Sequence, residues 1–519
     1  MISTKDWRRG SVTGITARGA GMAKKPGGVT YARPEQDYFQ KRGLKRYAGV
    51  WSLWALGVGA VISGHFSGWN IGLSAGGWGG MFLAALIIMI MYLGLTFSIA
   101  EMSPALPHTG AAYSFARTAM GPWGGFVTGL AENVEFVLTP AVIVFFISSY
   151  LSGIFETPAS LLPLYWVLGY GVFVTLNIAG VALSFKVTLA VTLAALACLL
   201  TFWVSAIPHV DFSRWALDIG AGGTHLPQGG GPFLPFGWKG VFAALPFAVW
   251  LFLAIEQLPL AAEESMDPKR DMPRGIIAGM VTLIISAFAI VFLNPSVAGV
   301  GSYALGQSGE PLLDGFRAIY GTGIAKVLAL VAVIGLVASF HTIIFAMGRQ
   351  IYSLSRAGYF PRALSLTHGG RKTPHAAMGF GAAAGLAVML VIWVLAGARR
   401  GEHIIGGALL NMAVFGAMFS YVFQALSFLL LRRNQPGMAR PFKSPLGSAG
   451  AVLTIVIALT TLAAQLLDPT YRAGVMAVAV WFALGMAWFA LVGRHHLVLS
   501  PEEQFAMDHA KAALHDGSG

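Results

Sequence analysis

The chain has 519 residues, 56% of them hydrophobic and only 11% charged, with a mean hydropathy of +0.69. A soluble globular protein carries roughly twice that charged fraction, so a water-soluble fold is excluded. The formal net charge of +12 does not point to nucleic acid, because the basic residues gather at the N-terminus and in alternate loops.

Residues 1–47 hold eleven Lys and Arg against three acids and have no apolar core. They predict a flexible cytosolic segment able to touch anionic lipid, not a secretory leader. Twelve apolar runs follow, each near the ~20 residues that a bilayer requires. They fall at about 50–73, 80–103, 124–152, 163–180, 185–206, 240–261, 275–298, 325–352, 375–396, 405–431, 449–467 and 473–493. The pattern predicts an all-α polytopic membrane protein with one body over 48–495 and a polar cytoplasmic tail over 496–519. Basic residues recur in alternate connections: Lys269, Arg270 and Arg274; Arg349, Arg356, Arg362, Arg371 and Lys372; Arg432, Arg433, Arg440 and Lys443. Arg399 and Arg400 are the main exception. Positive loops mark the cytoplasmic side, which places both termini inside and the longer 207–238 and 299–324 connections outside. The single cysteine, Cys198, lies within an apolar run, so neither a disulfide nor a cysteine metal site is available.

Two runs are interrupted. Pro246–Arg274 begins as an apolar helix, but Glu256, Gln257 and Pro259 fall in its middle and a charge cluster follows. A proline there frees a backbone carbonyl, and a carboxylate in hydrocarbon is costly, so this segment must line a cavity or pack inside protein. The first run carries Gly57, Gly59, Gly64, Gly68 and Gly72. Tight helix packing through small residues would use such glycines. Unwinding beside a ligand would use them too. The first and sixth runs are five apart, and interruption at corresponding places in two halves marks an inverted-repeat transporter with its site at the breaks.

Glu132 and Glu135 are three apart and share one helix face. At 1.5 Å per residue they lie ~15–20 Å along the helix from Pro122. With Glu256 they make three acids within the membrane, and no Lys or Arg falls deep inside a run to pair with them. Unpaired buried carboxylates take up protons or await a cation. His65 and His341 lie inside runs and could relay protons or serve as satisfied structural groups.

Five ordered motifs give the chain a resemblance to the amino acid–polyamine–organocation superfamily over roughly residues 45–495. They are Val61-Ile62-Ser63-Gly64-His65-Phe66; Ala100–Gly129; AAEESMDPKRDMPRG from Ala261; RQIYSLSRAGYFPRAL from Arg349; and RPFKSP, Arg440–Pro445. The third run, within GPWGGFVTGLAENVEFVLTPAVIVFF, is most similar to the ethanolamine permease branch. The resemblance implies a five-plus-five inverted repeat, one half over about 48–206 and the other over about 238–432, with two peripheral helices over about 449–493. Ser63 and Gly64 match substrate-contacting positions, and Ala254 matches a small residue whose carbonyl faces ligand. Trp250 matches an aromatic that covers substrate, and Glu256 matches an acid that couples occupancy to gating. Ile62 and His65 depart from the family's first-helix pattern, where free amides cradle a carboxylate. The lysine of proton-coupled relatives is matched here by Ala195.

These readings lead to a secondary transporter that imports a small cationic amine, most simply ethanolamine, across a bacterial inner membrane by alternating access. Ser63, Gly64, His65, Glu132, Glu135, Trp250, Ala254 and Glu256 are the candidate substrate-binding residues, with Trp250 and Glu256 as gates. Glu101, Glu263, Glu264, Asp267 and Arg274 are expected to form a charge network at the inner mouth. No cofactor or metal is expected, and no nucleophile–base pair supports a membrane-embedded enzyme. An amino acid permease or exchanger is the rival within the same fold. Proton symport, sodium symport and exchange all fit the sequence.

Overall fold

The computed structural model of the chain describes residues 28–507 apart from 33–37, 39, 43 and 397. Most of the basic segment 1–47, and 508–519, therefore lie outside the described residues, as do the side chains of Arg399 and Arg400. Among the described residues ten helices are long and apolar enough to cross a membrane, and two shorter apolar helices, Val50–Phe66 and Gly237–Val249, join them. The two short ones are the first and sixth of the twelve expected crossings. A break shortens a helix, so their length is the structural counterpart of the interruptions.

In chain order the helices are α1 (Val50–Val61), α2 (Ser63–Phe66), α3 (Ile71–Ala105), α4 (Ala111–Phe155), α5 (Leu162–Ala179), α6 (Val181–Ala206) and α7 (Gly237–Val249). A 3₁₀ segment, Ile255–Glu264, follows α7. Then come α8 (Pro268–Ser296), α9 (Ser302–Leu305), α10 (Pro311–Arg356), α11 (His375–Ala396), α12 (Ala398–Asn434), α13 (Gly447–Leu467) and α14 (Arg472–Leu491). Several run past the expected bounds because they bend without ending. Gly77, Gly121 and Gly321 sit inside α3, α4 and α10 at φ of 68°, 78° and 73°, a conformation that glycine adopts without the penalty a side chain brings. Each bend joins a short leading helix to a long crossing.

The core forms where α3, α4, α10 and α12 meet around the two broken helices, and nearly every side chain of Trp250–Ala262 is buried there. Large apolar residues on α5, α6, α11, α13 and α14 face outward instead, as lipid-facing helices require. The described residues just before α1 and just after α14 pack against the bundle. Strand β1 (Tyr31–Ala32) pairs in parallel with β2 (Leu497–Val498), and residues 501–507 form a further helical turn.

Candidate functional site

The first break falls later than the Val61–Phe66 motif. At Ile62 the backbone stays right-handed and only tightens between α1 and α2. The full interruption is Ser67–Asn70, where Ser67 is extended and Gly68 turns to φ 95°. Asn70 holds this turn: its Oδ1 accepts from the Gly68 amide at 3.0 Å, and its Nδ2 donates to the Leu305 and Ser308 carbonyls at 2.7 and 2.8 Å. The second break is Trp250–Ala254, where Ala254 is left-handed at φ 83° although it carries a Cβ. Such a residue stores about 1–3 kcal/mol of strain, held by its surroundings. One Glu256 oxygen accepts from the Ala254 amide at 3.1 Å and caps the turn.

The two breaks press on one another. A Cβ at Gly64 would lie 2.1 Å from the Trp250 carbonyl oxygen, and one at Gly68 would lie 2.7 Å from the Trp250 ring. Glycine is therefore required at both positions by close approach. The Trp250 indole donates to the Ser67 carbonyl at 3.1 Å and so bridges the breaks. Ser339 of α10 serves the first break from the other side. Its hydroxyl accepts from the Ser63 amide at 2.8 Å and donates to the Gly59 carbonyl at 2.6 Å.

Glu132 and Glu135 of α4 and Glu256 of the second break are all fully buried. Glu135 faces Glu256 and the Tyr421 hydroxyl of α12, and Glu132 faces Gln350 of α10. None of these approaches reaches full hydrogen-bond geometry. Both oxygens of Glu132 and of Glu135, the second Glu256 oxygen and the Gln350 Oε1 are buried without a donor. Among the described residues, no Lys or Arg forms an ion pair with any of the three acids. The Tyr421 and Tyr92 hydroxyls are 3.0 Å apart at the cluster's edge. Neither tyrosine was singled out from sequence, where each reads as one more aromatic in an apolar run.

The histidines behave differently. His65 uses Nε2 on the Leu251 carbonyl at 3.0 Å and Nδ1 on the Ser286 hydroxyl at 2.8 Å, so it braces α2 against α8. His341 is enclosed by Asn177 and Ser184, at 3.0 and 3.1 Å. Both rings are satisfied by protein. The Ala254 carbonyl accepts from the Gln257 amide at 3.2 Å.

Arg349, read from sequence as a connection residue, lies inside α10 and is 1% exposed. It pairs with Glu264 at 2.8 Å and covers the Phe345 ring at 3.5 Å, not the three central acids. Of the expected inner network, Glu101 joins Arg432 at 2.6 Å and Arg440 at 3.2 Å, while Glu263 joins Arg356 at 2.6 Å. Burial works against the Glu263 charge, yet the Arg356 guanidinium outweighs it and holds the carboxyl at about 2. Asp267 and Arg274 are exposed and, among the described residues, form no ion pair.

All these pairs sit at the face that also carries β1 and β2. At the opposite end a cavity of about 680 Å³ opens, lined by Phe145, Ser149, Gly153, Gly309, Glu310 and Asp314 among others. Its floor at Phe145 is ten residues from Glu135 on α4, ~15 Å at the helical rise. The acidic cluster is thus sealed from both ends.

Comparison with known proteins agrees with this architecture. The profile of the amino acid permease family matches residues 53–505. An uncharacterized transporter of Rhizobium meliloti (strain 1021) is 26% identical over 92% of this chain and 98% of its own. The branched-chain amino acid permease and the methylthioribose transporter of Bacillus subtilis (strain 168) are 24% and 23% identical, each over 89% of this chain and 96% of theirs. With the family profile covering nearly all twelve crossings and both breaks, the chain belongs to the amino acid permease family, and is a multi-pass membrane transporter of the amino acid–polyamine–organocation superfamily.

Proposed function

We propose that this transporter carries a small cationic amine, ethanolamine first, into the cell through the cytoplasmic membrane by alternating access. One observation carries the reading: the buried centre offers more acceptors than donors, with the Tyr421 hydroxyl the donor beside Glu135 and Glu256. The carboxyls of Glu132 and Glu135, the free oxygen of Glu256 and the Gln350 carbonyl all lack partners. An ammonium presents three donors and a full charge to such a site, and burial strengthens the attraction. In its absence, protons shared among the three carboxyls would relieve the same excess, so proton symport fits the cluster as well as the cation does. Trp250 binds the two breaks together and Glu256 caps the turn of the second, which suits a role for both as gates that register occupancy. The basic connections support a location with both termini inside.

The named relatives favour a second reading, an amino acid substrate. That substrate needs amides for its carboxylate at the first break. Here the amides of Ser63, His65, Ser67 and Gly68 already donate to Ser339, Ile62, Ser63 and Asn70. Binding by purified protein, followed calorimetrically with ethanolamine, choline, alanine, arginine and putrescine, separates the readings. Selective binding of ethanolamine supports the amine site, whereas preference for alanine or arginine overturns it while leaving the fold untouched.

A further inference from the structure

We infer that Glu502 and Glu503, beyond the last crossing, are gate residues: they bolt the terminal face shut and must leave Arg356 and Arg117 before substrate can pass it. The inference rests on transport by this family, not on which substrate is carried.

After α14 the chain turns back, pairs β2 with β1 and runs helically over 501–507 across the end of the bundle. Glu503 is fully buried and saturated with donors: Arg117 Nε at 2.6 Å and the hydroxyls of Tyr31, Tyr359 and Tyr113 at 2.7, 2.9 and 3.2 Å. Glu502 is equally buried and pairs with Arg356, which also holds Glu263 at 2.6 Å. Two adjacent acids therefore tie three parts together: the leading helix of α4, the end of α10 and the end of the broken sixth crossing.

Beneath this bolt lies polar protein with too few partners. Arg349, Ser353 and Arg356 follow one face of α10 at helical spacing, beginning beside Gln350 at the acidic cluster. Nε and Nη1 of Arg349, Oε2 of Glu264 and the hydroxyls of Ser353 and Ser265 are buried without partners. Each orphan of this kind costs about 1–3 kcal/mol in a dry interior. Their alignment over about 9 Å from Gln350 to Arg356 fits a path that fills with water once the bolt lifts. The opposite face already holds the 680 Å³ cavity. The acidic centre is thus closed off from both faces, with a wide vestibule on one side and the bolt on the other, as an occluded state of an alternating cycle demands. Withdrawal of the whole acidic turn exposes both carboxylates to water, which avoids stranding a buried charge.

The test needs no substrate. In a background with Cys198→Ala, Ser353→Cys is labelled from the terminal face with an impermeant maleimide, and modification of that peptide is followed by mass spectrometry. Adding Glu502→Gln and Glu503→Gln keeps the acceptor oxygens but removes both charges, and should raise the labelling rate about tenfold or more as the open state gains population. Separately, Ala357→Cys with Val498→Cys should form a disulfide that fixes the segment to α10, since the Val498 amide already bonds the Ala357 carbonyl at 2.9 Å. Oxidation should lower Ser353→Cys labelling about tenfold, and a reductant should restore it. An unchanged rate in a folded double-glutamine variant overturns the inference. So does equal labelling of the oxidised and reduced tether, which decides the matter even if the glutamine variant does not fold.

Discussion

Two groups of acids, all buried except the partly exposed Glu263, occupy this molecule, and they are wired in opposite ways. At the terminal face Glu101, Glu263, Glu264, Glu502 and Glu503 each meet an arginine. At the centre Glu132, Glu135 and Glu256 meet none, and five of their six oxygens are unpartnered. The residue type is shared; only the donors differ. A paired acid fixes the relation between two helices, whereas an unpaired one keeps its oxygens available, on the proposed reading for a cation. On the proposed reading the unpaired set serves the substrate, while the paired set holds helices together and, at Glu502 and Glu503, bolts the terminal face.

Breaking the Arg349–Glu264 pair, buried among the helices, should therefore damage the fold, while neutralising a central acid should damage only transport. The largest effect is expected for Arg349→Met, which strands Glu264 and should lower stability by about 3–5 kcal/mol in denaturation of detergent-solubilised protein. Loss under 1 kcal/mol would mean that the pair is not structural. Glu135→Gln should abolish ethanolamine uptake by proteoliposomes with membrane expression intact. Removing one partner of a buried charge contact is worth roughly 2–5 kcal/mol, a ~30-fold or greater loss of affinity. Unchanged kinetics would remove Glu135 from the site. Ala254→Gly should relieve left-handed strain and raise stability by about 1 kcal/mol or less, measured as a shift in melting. No shift, or a fall, would show that the turn is not held under strain. The smallest effect concerns pH. Because Glu263 is held at about 2, below its ordinary value of 4.5, its contribution is complete above pH 4.5 and fades as pH falls toward 2. Glu263→Gln should flatten that slope of the acid-stability curve, and a parallel curve would deny the ion pair its role.

Much of this was legible in sequence because hydropathy and helical period are local properties. Pro259 and Glu256 in an apolar run disclosed the second break, and Glu132 with Glu135 disclosed one acidic face. The first break was placed a turn early because its motif ends at Phe66, whereas the geometry turns on Ser67 and Gly68. Arg349 was misplaced because a buried arginine and a connection arginine look alike until Glu264, 85 residues away, is seen beside it. The role of Glu503 was invisible for the same reason: Arg117 lies 386 residues earlier. Tyr92 and Tyr421 gave no signal, since only a fold that places them 3.0 Å apart makes them a pair.

The cavity opposite the terminal face has a pharmacological consequence. Its 680 Å³ is the scale of a pocket for a drug-sized molecule, far larger than a two-carbon amine requires. Size is not sorted there, and on the proposed reading sorting falls to the sealed acids ~15 Å below. Glu310 and Asp314 on its wall are already paired with Arg317 at 2.6 and 2.9 Å, so an amine with a bulky ring would enter the mouth for its volume and not for its charge, and stop there. Such compounds would block the transporter without being carried, and their potency would follow ring size more than amine basicity.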